Sequence, residues 1–251
     1  GVAGVVVTDG VNLTKTDAKG AYALPTKVKD PHCQFVHISI PSGYEVERIG
    51  NAPQFYKRVD PKAKKQTFDF KLKKVDDSTL SVIMFSDTHF CNDPKRNDFT
   101  HFRELIMPSI NKAAAEAEGY TLSVNLGDIT WDRFWYATGM DIESVPAHLI
   151  GHNFPVPFYC VHGNHDYDPS VPSDDNPNVK AIQRFCNTFG PTFYSMNKGN
   201  VHFVMLDNIF YKNEVKEGQK VAKGVVGSRN YDLYVDDAQL AWLAKDLAAV
   251  D

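Results

Sequence analysis

Three short runs of metal-binding residue types occur in this chain: Asp87-Thr88-His89, Gly127-Asp128 and Gly163-Asn164-His165-Asp166. Carboxylates, imidazoles and an amide oxygen form a donor set that suits Zn, Fe or Mn. The glycines permit tight turns and close backbone approach. Singly, each run has a bland explanation, because Asp-x-His can be a turn with a cap and Gly-Asp is a common turn pair. Jointly they carry more weight: each directly follows an apolar run of strand length, where α/β proteins place their sites.

The elements that must position them begin near Thr79. Leu80 to Phe85 is a mostly apolar run, expected of a strand covered on both faces. Asn97 or Asp98 caps a helix whose apolar positions Phe99, Phe102, Ile106, Ile110, Ala113 and Ala117 recur at three and four, with Gly119 ending it. Strand Thr121 to Leu126, a helix from about Trp131 to Leu149 and strand Val156 to Val161 follow. A helix over Val179 to Phe189, strands Thr192 to Met196 and Val201 to Leu206, and a helix near Asp237 to Val250 complete an α/β layered domain. Residues 1–75 are strand and turn material instead. Val5-Val6-Val7, Ala21 to Leu24 and Phe35 to Ile40 are separated by Asp9-Gly10, Asp17 to Gly20 and Pro41-Ser42-Gly43, which predicts a small β-sandwich. Lys71 to Asp77 reads as the linker, giving domains at 1–75 and 79–251.

The 251 residues carry a net charge of -4, unevenly spread. Residues 1–78 hold 13 Lys and Arg against 9 Asp and Glu, whereas residues 79–251 hold 14 against 22. An acidic C-terminal half argues against non-specific nucleic-acid binding, which needs a basic face. Phosphates would be drawn to it by bound cations. No stretch approaches the roughly 20 apolar residues of a membrane span. Cys33, Cys91, Cys160 and Cys186 form no Cys-x-x-Cys pair, which argues against a structural zinc site.

The motif set, together with Phe189-Gly190-Pro191, Leu206-Asp207-Asn208 and Gln239 to Leu243, resembles the calcineurin-like metallophosphoesterase superfamily from about Leu80 onward. Thr16 to Tyr22 resembles the turn of transthyretin-like and carboxypeptidase-regulatory-like domains, which precede this catalytic domain in bacterial secreted members. The resemblance implies a partial four-layer α/β/β/α sandwich after a small all-β domain, a periplasmic or secreted location, and hydrolysis of phosphomonoesters, phosphodiesters or nucleotide-sugars with two divalent or trivalent metal ions. Asp87 and His89 would hold the first metal, Asp128 would bridge both, and Asn164 would hold the second. His165 would face the substrate, and Asp166 would fix the tautomer or orientation of His165.

Two departures from the family pattern are visible. Trp131 stands where purple acid phosphatases carry a tyrosine ligand, so a coloured tyrosinate-iron site is not expected. The later histidines of the family, including Gly-His-x-His, have no counterparts in the chain. His101, His148, His152 and His202 read as surface or packing residues, and His162 as a neighbour of the site. The expectation is therefore a longer parent chain, or a second chain, completing the fold. Without those ligands, a non-catalytic metal-binding protein is the alternative. A carbohydrate-binding module is another, which would need Tyr22, Tyr44, Phe55 and Tyr56 as an exposed platform.

Overall fold

The computed structural model describes residues 1–174 and 176–250. Its N-terminal part builds β1 (Val6–Thr8), β2 (Leu13–Lys15), β3 (Phe35–Ile38), β4 (Tyr44–Val46), β5 (Arg48–Ile49), β6 (Ala52–Pro53), β7 (Tyr56–Arg58) and β8 (Leu72–Lys74). Four of these form an antiparallel sheet in the order β2-β1-β3-β7, and β4 pairs with β8. The β1–β2 turn is closed by the Asp9 carboxylate, which accepts the amides of Val11 at 3.0 Å and Asn12 at 2.6 Å. Ala21 to Leu24, expected as a strand, is not one. The Asp17 carboxylate takes the amide of Ala21 at 2.9 Å, a donor that a ladder would need, and the Tyr22 hydroxyl donates to the carbonyl of Phe68.

The C-terminal part opens with three parallel strands, β9 (Leu80–Phe85), β10 (Tyr120–Asn125) and β11 (Phe158–Cys160), in the order β11-β10-β9. Side chains alternate across this sheet. Leu80, Val82, Leu122 and Val124 join one core with Val7, Ile38 and Ile40, while Ile83 and Phe85 join another around Phe102, Trp135 and Phe158. Between β9 and β10 run α1 (Asp98–His101), a π-helical turn (Phe102–Ile106) and α2 (Met107–Glu116). Pro108 accounts for the wide turn, since it has no amide to offer the carbonyl of Glu104 and its ring would strike that group.

The single helix expected over Trp131 to Leu149 is broken into α3 (Trp135–Thr138) and α4 (Val145–Gly151), each preceded by a 3₁₀ turn. Gly139 at φ 72° is the left-handed stop, and Asp141 restarts the chain by accepting the amide of Ser144. Next come α5 (Pro177–Ala181) and α6 (Gln183–Phe189), then the hairpin β12 (Tyr194–Lys198)–β13 (Val201–Met205). The pair β14 (Ile209–Tyr211)–β15 (Tyr231–Leu233) and α7 (Asp237–Leu247) complete the order. Met84 (60% exposed) and Leu126 (51%) leave an apolar face beside β9 uncovered.

The two parts are not joined by a free linker. Residues 71–77 contain β8, and Asp77 is buried, taking the amide of Gly43. Phe35 and Ala52 enter the core of the C-terminal part, and Phe55 is buried against Tyr159 and Tyr194 rather than forming a platform. His32 adds a polar clasp: its Nδ1 lies 3.0 Å from Asp30 and its Nε2 2.8 Å from Asp236, the residue that caps α7. Burial alone would lower the His32 pKa, but the hydrogen bonds to Asp236 and Asp30 raise it. A pKa raised on folding gives stability that is fully present below the unfolded value of about 6.5 and is lost as pH rises through the folded value. We therefore expect His32→Gln to melt about 2–4 °C below wild type at pH 5.5 and by less at pH 8.5, since the clasp is partly solvated. An equal loss at both pH values in thermal melts would contradict this.

Candidate functional site

The three motifs leave the C-terminal ends of β9, β10 and β11 side by side, so the parallel sheet itself gathers them. The loops are stitched by backbone bonds. Asp87 N donates to Gly127 O, and His89 N donates to Asp128 O at 3.0 Å. The glycines are needed for contact. A Cβ on Gly163 would stand 2.1 Å from Asp128 Oδ1, and one on Gly127 would stand 2.8 Å from Gly163 N. Asp87, His89 and Asp128 are held at φ 54°, 44° and 50°, the left-handed region that costs a non-glycine residue free energy. Backbone strain at three successive donor positions marks a site whose side-chain directions are imposed by the surrounding structure.

His89 Nε2 lies 3.5 Å from Asp128 Oδ2 and 3.9 Å from Asp87 Oδ1, buried and without a hydrogen-bond partner among the described residues. Nitrogen and oxygen atoms of His89, Asp128 and His165 lie within 4.8 Å of one another. Asp87, Asp128 and Asn164 line one cleft of about 200 Å³. An orphaned imidazole nitrogen facing two carboxylates too distant for good hydrogen bonds fits a shared cation. The Asp128 carboxylate raises the His89 pKa. Burial pushes Asp128 up, but His89 and the His165 amide outweigh it and hold its carboxyl below the usual range. An anionic Asp128 is what a ligand role requires.

His165 differs from expectation in its orienting partner. Its Nδ1 lies 2.9 Å from Asp132 Oδ1, so Asp132, not Asp166, holds the ring and leaves Nε2 without a protein partner among the described residues. The Asp166 carboxylate is taken up elsewhere, accepting from the amides of Thr130 at 2.9 Å, Gly163 at 2.9 Å and Ile129 at 3.2 Å and from the Thr130 hydroxyl. Asp166 thus ties the second motif loop to the third. Burial pushes its carboxyl up, against the pull of those amides.

Arg229, which the sequence reading did not single out, donates to Asp132 Oδ1 at 2.7 Å, with the same nitrogen 3.4 Å from His165 Nδ1. Nothing in its local sequence marks it; it arrives from the β14–β15 loop. Trp131 packs against both imidazoles, with ring centroids 5.0 Å from His89 and 5.6 Å from His165, and the Arg96 guanidinium lies 3.8 Å over it. Trp131 is therefore part of the site's rim. His162 is buried beneath the cleft, 3.1 Å from Asp207. His148 and His152 pack edge-on against Phe99, and His202 links Asp246 of α7 to Asn197, so none of the three lies in the cleft.

Comparison with known proteins gives two family matches. The family described as "Calcineurin-like phosphoesterase" matches residues 80–248, and that described as "N terminal of Calcineurin-like phosphoesterase" matches residues 1–75. Over 61 residues the chain is 33% identical to "Serine/threonine-protein phosphatase CPPED1" of Homo sapiens. That stretch covers 24% of this chain and 18% of the human protein, less than a fifth of its length. No solved structure matches the chain significantly.

Proposed function

The chain belongs to the calcineurin-like phosphoesterase family, and from that premise we propose that it hydrolyses small phosphate esters with a binuclear metal centre held by Asp87, His89, Asp128 and Asn164. The observation that carries the reading is the orphaned His89 Nε2 between Asp87 and Asp128, with all three residues in left-handed backbone. When bound, two cations would supply Lewis acidity toward phosphate oxygens and lower the pKa of a water. The chain's own contribution is positional. Asp128 is suited to serve both cations because it has two oxygens and stays ionised. Neutral Asn164 adds a donor without adding negative charge beside an anionic substrate. With Nδ1 committed to Asp132, His165 presents Nε2 to bind the phosphoryl group or to hold the proton that the leaving oxygen needs.

The test is metal removal and return. Protein stripped with a chelator should not hydrolyse p-nitrophenyl phosphate or bis-(p-nitrophenyl) phosphate, and Mn, Fe or Zn should restore cleavage in proportion to metal bound. Stoichiometric rebinding of metal with no cleavage of either ester would favour the non-catalytic alternative. The ratio of the two rates reads monoesterase against diesterase preference.

A further inference from the structure

The catalytic part is acidic, yet the loop joining β14 to β15 is not. Residues 212–230 hold Lys212, Lys216, Lys220, Lys223 and Arg229 against Glu214 and Glu217. The loop is also fastened. Buried Asn213 donates to the carbonyls of Val171 at 2.7 Å and Pro169 at 3.1 Å, and its Oδ1 accepts the amide of Arg229 at 2.9 Å. A Cβ on Gly227 would meet the Asn213 carbonyl at 2.0 Å, and Arg229 sits at φ 58°. A strained, tied backbone therefore brings Arg229 to Asp132 beside His165.

Arg229 also lines a cleft of about 100 Å³, room for about three waters. Arg133, Lys220 and Arg229 line it, with Gln219 and Ser228, and among the described residues no carboxylate does. Arg229 is neutralised by Asp132, and Lys212 by Asp232 at 2.7 Å. Arg133 and Lys220 make no ion pair among the described residues, so two cations face this cleft uncompensated.

We propose that this cleft is an anion subsite that receives a second phosphoryl group of the substrate, beyond His165, so that the enzyme prefers small bisphosphorylated esters to monophosphates. This rests on the phosphoesterase reading. Two cations on a concave surface attract a dianion and steer its approach, while a neutral leaving group gains nothing from them. Because Arg133 and Lys220 are solvated, the preference should be moderate and should shrink with salt.

The test compares kcat/KM of the metal-loaded protein for glucose 1,6-bisphosphate and glucose 1-phosphate. The expected ratio is about 10 at low ionic strength and about 2 or less in Lys220→Glu and Arg133→Glu. Lys216→Glu, on the same loop outside the cleft, should keep the wild-type ratio. A wild-type ratio near unity, or one that survives both reversals in the cleft, overturns the subsite. So does selective acceleration with an acidic phosphopeptide and none with the bisphosphate, which would point to a protein substrate. If neither sugar is cleaved, cleavage of the nitrophenyl esters decides the phosphoesterase reading separately, and calorimetric titration with inorganic pyrophosphate still reads the cleft. Lys220→Glu should then weaken binding about 10-fold, and an unchanged affinity overturns the proposal.

Discussion

Asp128→Asn is expected to lower phosphatase kcat/KM by more than about 100-fold, beyond the upper end of what outer-shell partners of a metal site cost. It should also reduce bound metal. Asp128 faces His89 at 3.5 Å, shares a cleft with Asp87 and Asn164, and accepts the amide of His165 at 3.0 Å. The substitution removes the charge while nearly preserving size, so packing of Gly163 against the side chain should survive. Metal content by elemental analysis, kcat/KM and the melting temperature of the metal-stripped protein separate the possibilities. Loss of metal and rate with an unchanged apo melting temperature is the expected pattern. Full metal content with full rate would remove Asp128 from the site.

His165→Ala is expected to lower kcat by about 10²- to 10⁴-fold, the range for a positioned acid or base, while retaining most of the metal. The proximity of His165 to His89 and Asp128 makes metal content the discriminating measurement. If His165→Ala were as metal-poor as Asp128→Asn, His165 would be a ligand. Asp132→Asn provides the companion result. Asp132 is fully buried, holds His165 Nδ1 and is itself held by Arg229. Its amide variant should lose about 10- to 100-fold in rate with a displaced pH profile, because the amide no longer commits Nδ1 to carrying the proton. Asp166→Asn should instead act on stability, since among the described residues Asp166 accepts from loop amides and a hydroxyl. A rate effect without a stability effect at Asp166 would return the orienting role to it.

Much of the catalytic architecture was legible before folding because it is written locally. The apolar run of Leu80 to Phe85, the helical spacing after Asp98 and the turn residues after each strand specify elements by side-chain pattern and backbone preference, which act over a few residues. The three motifs could be read as one site because parallel strands deliver their C-terminal ends to the same edge. The sequence also carried the break it did not announce: Gly139 and Asp141 end and restart the helix after Trp131. What tertiary structure alone decided is which polar groups meet. Asp166 adjoins His165 in sequence, yet the imidazole pairs with Asp132, thirty-three positions earlier, and Asp166 clamps amides instead. Arg229 comes to the same carboxylate from ninety-seven positions away. The N-terminal segment shares two cores with the catalytic part and is clasped to α7 through His32, so its linker is built in. Pairing of this kind depends on how loops cross once the sheets and helices have packed. Side-chain period and turn preference report burial and local conformation, but a hydrogen bond across the site is selected by a backbone position that only the whole packed core determines.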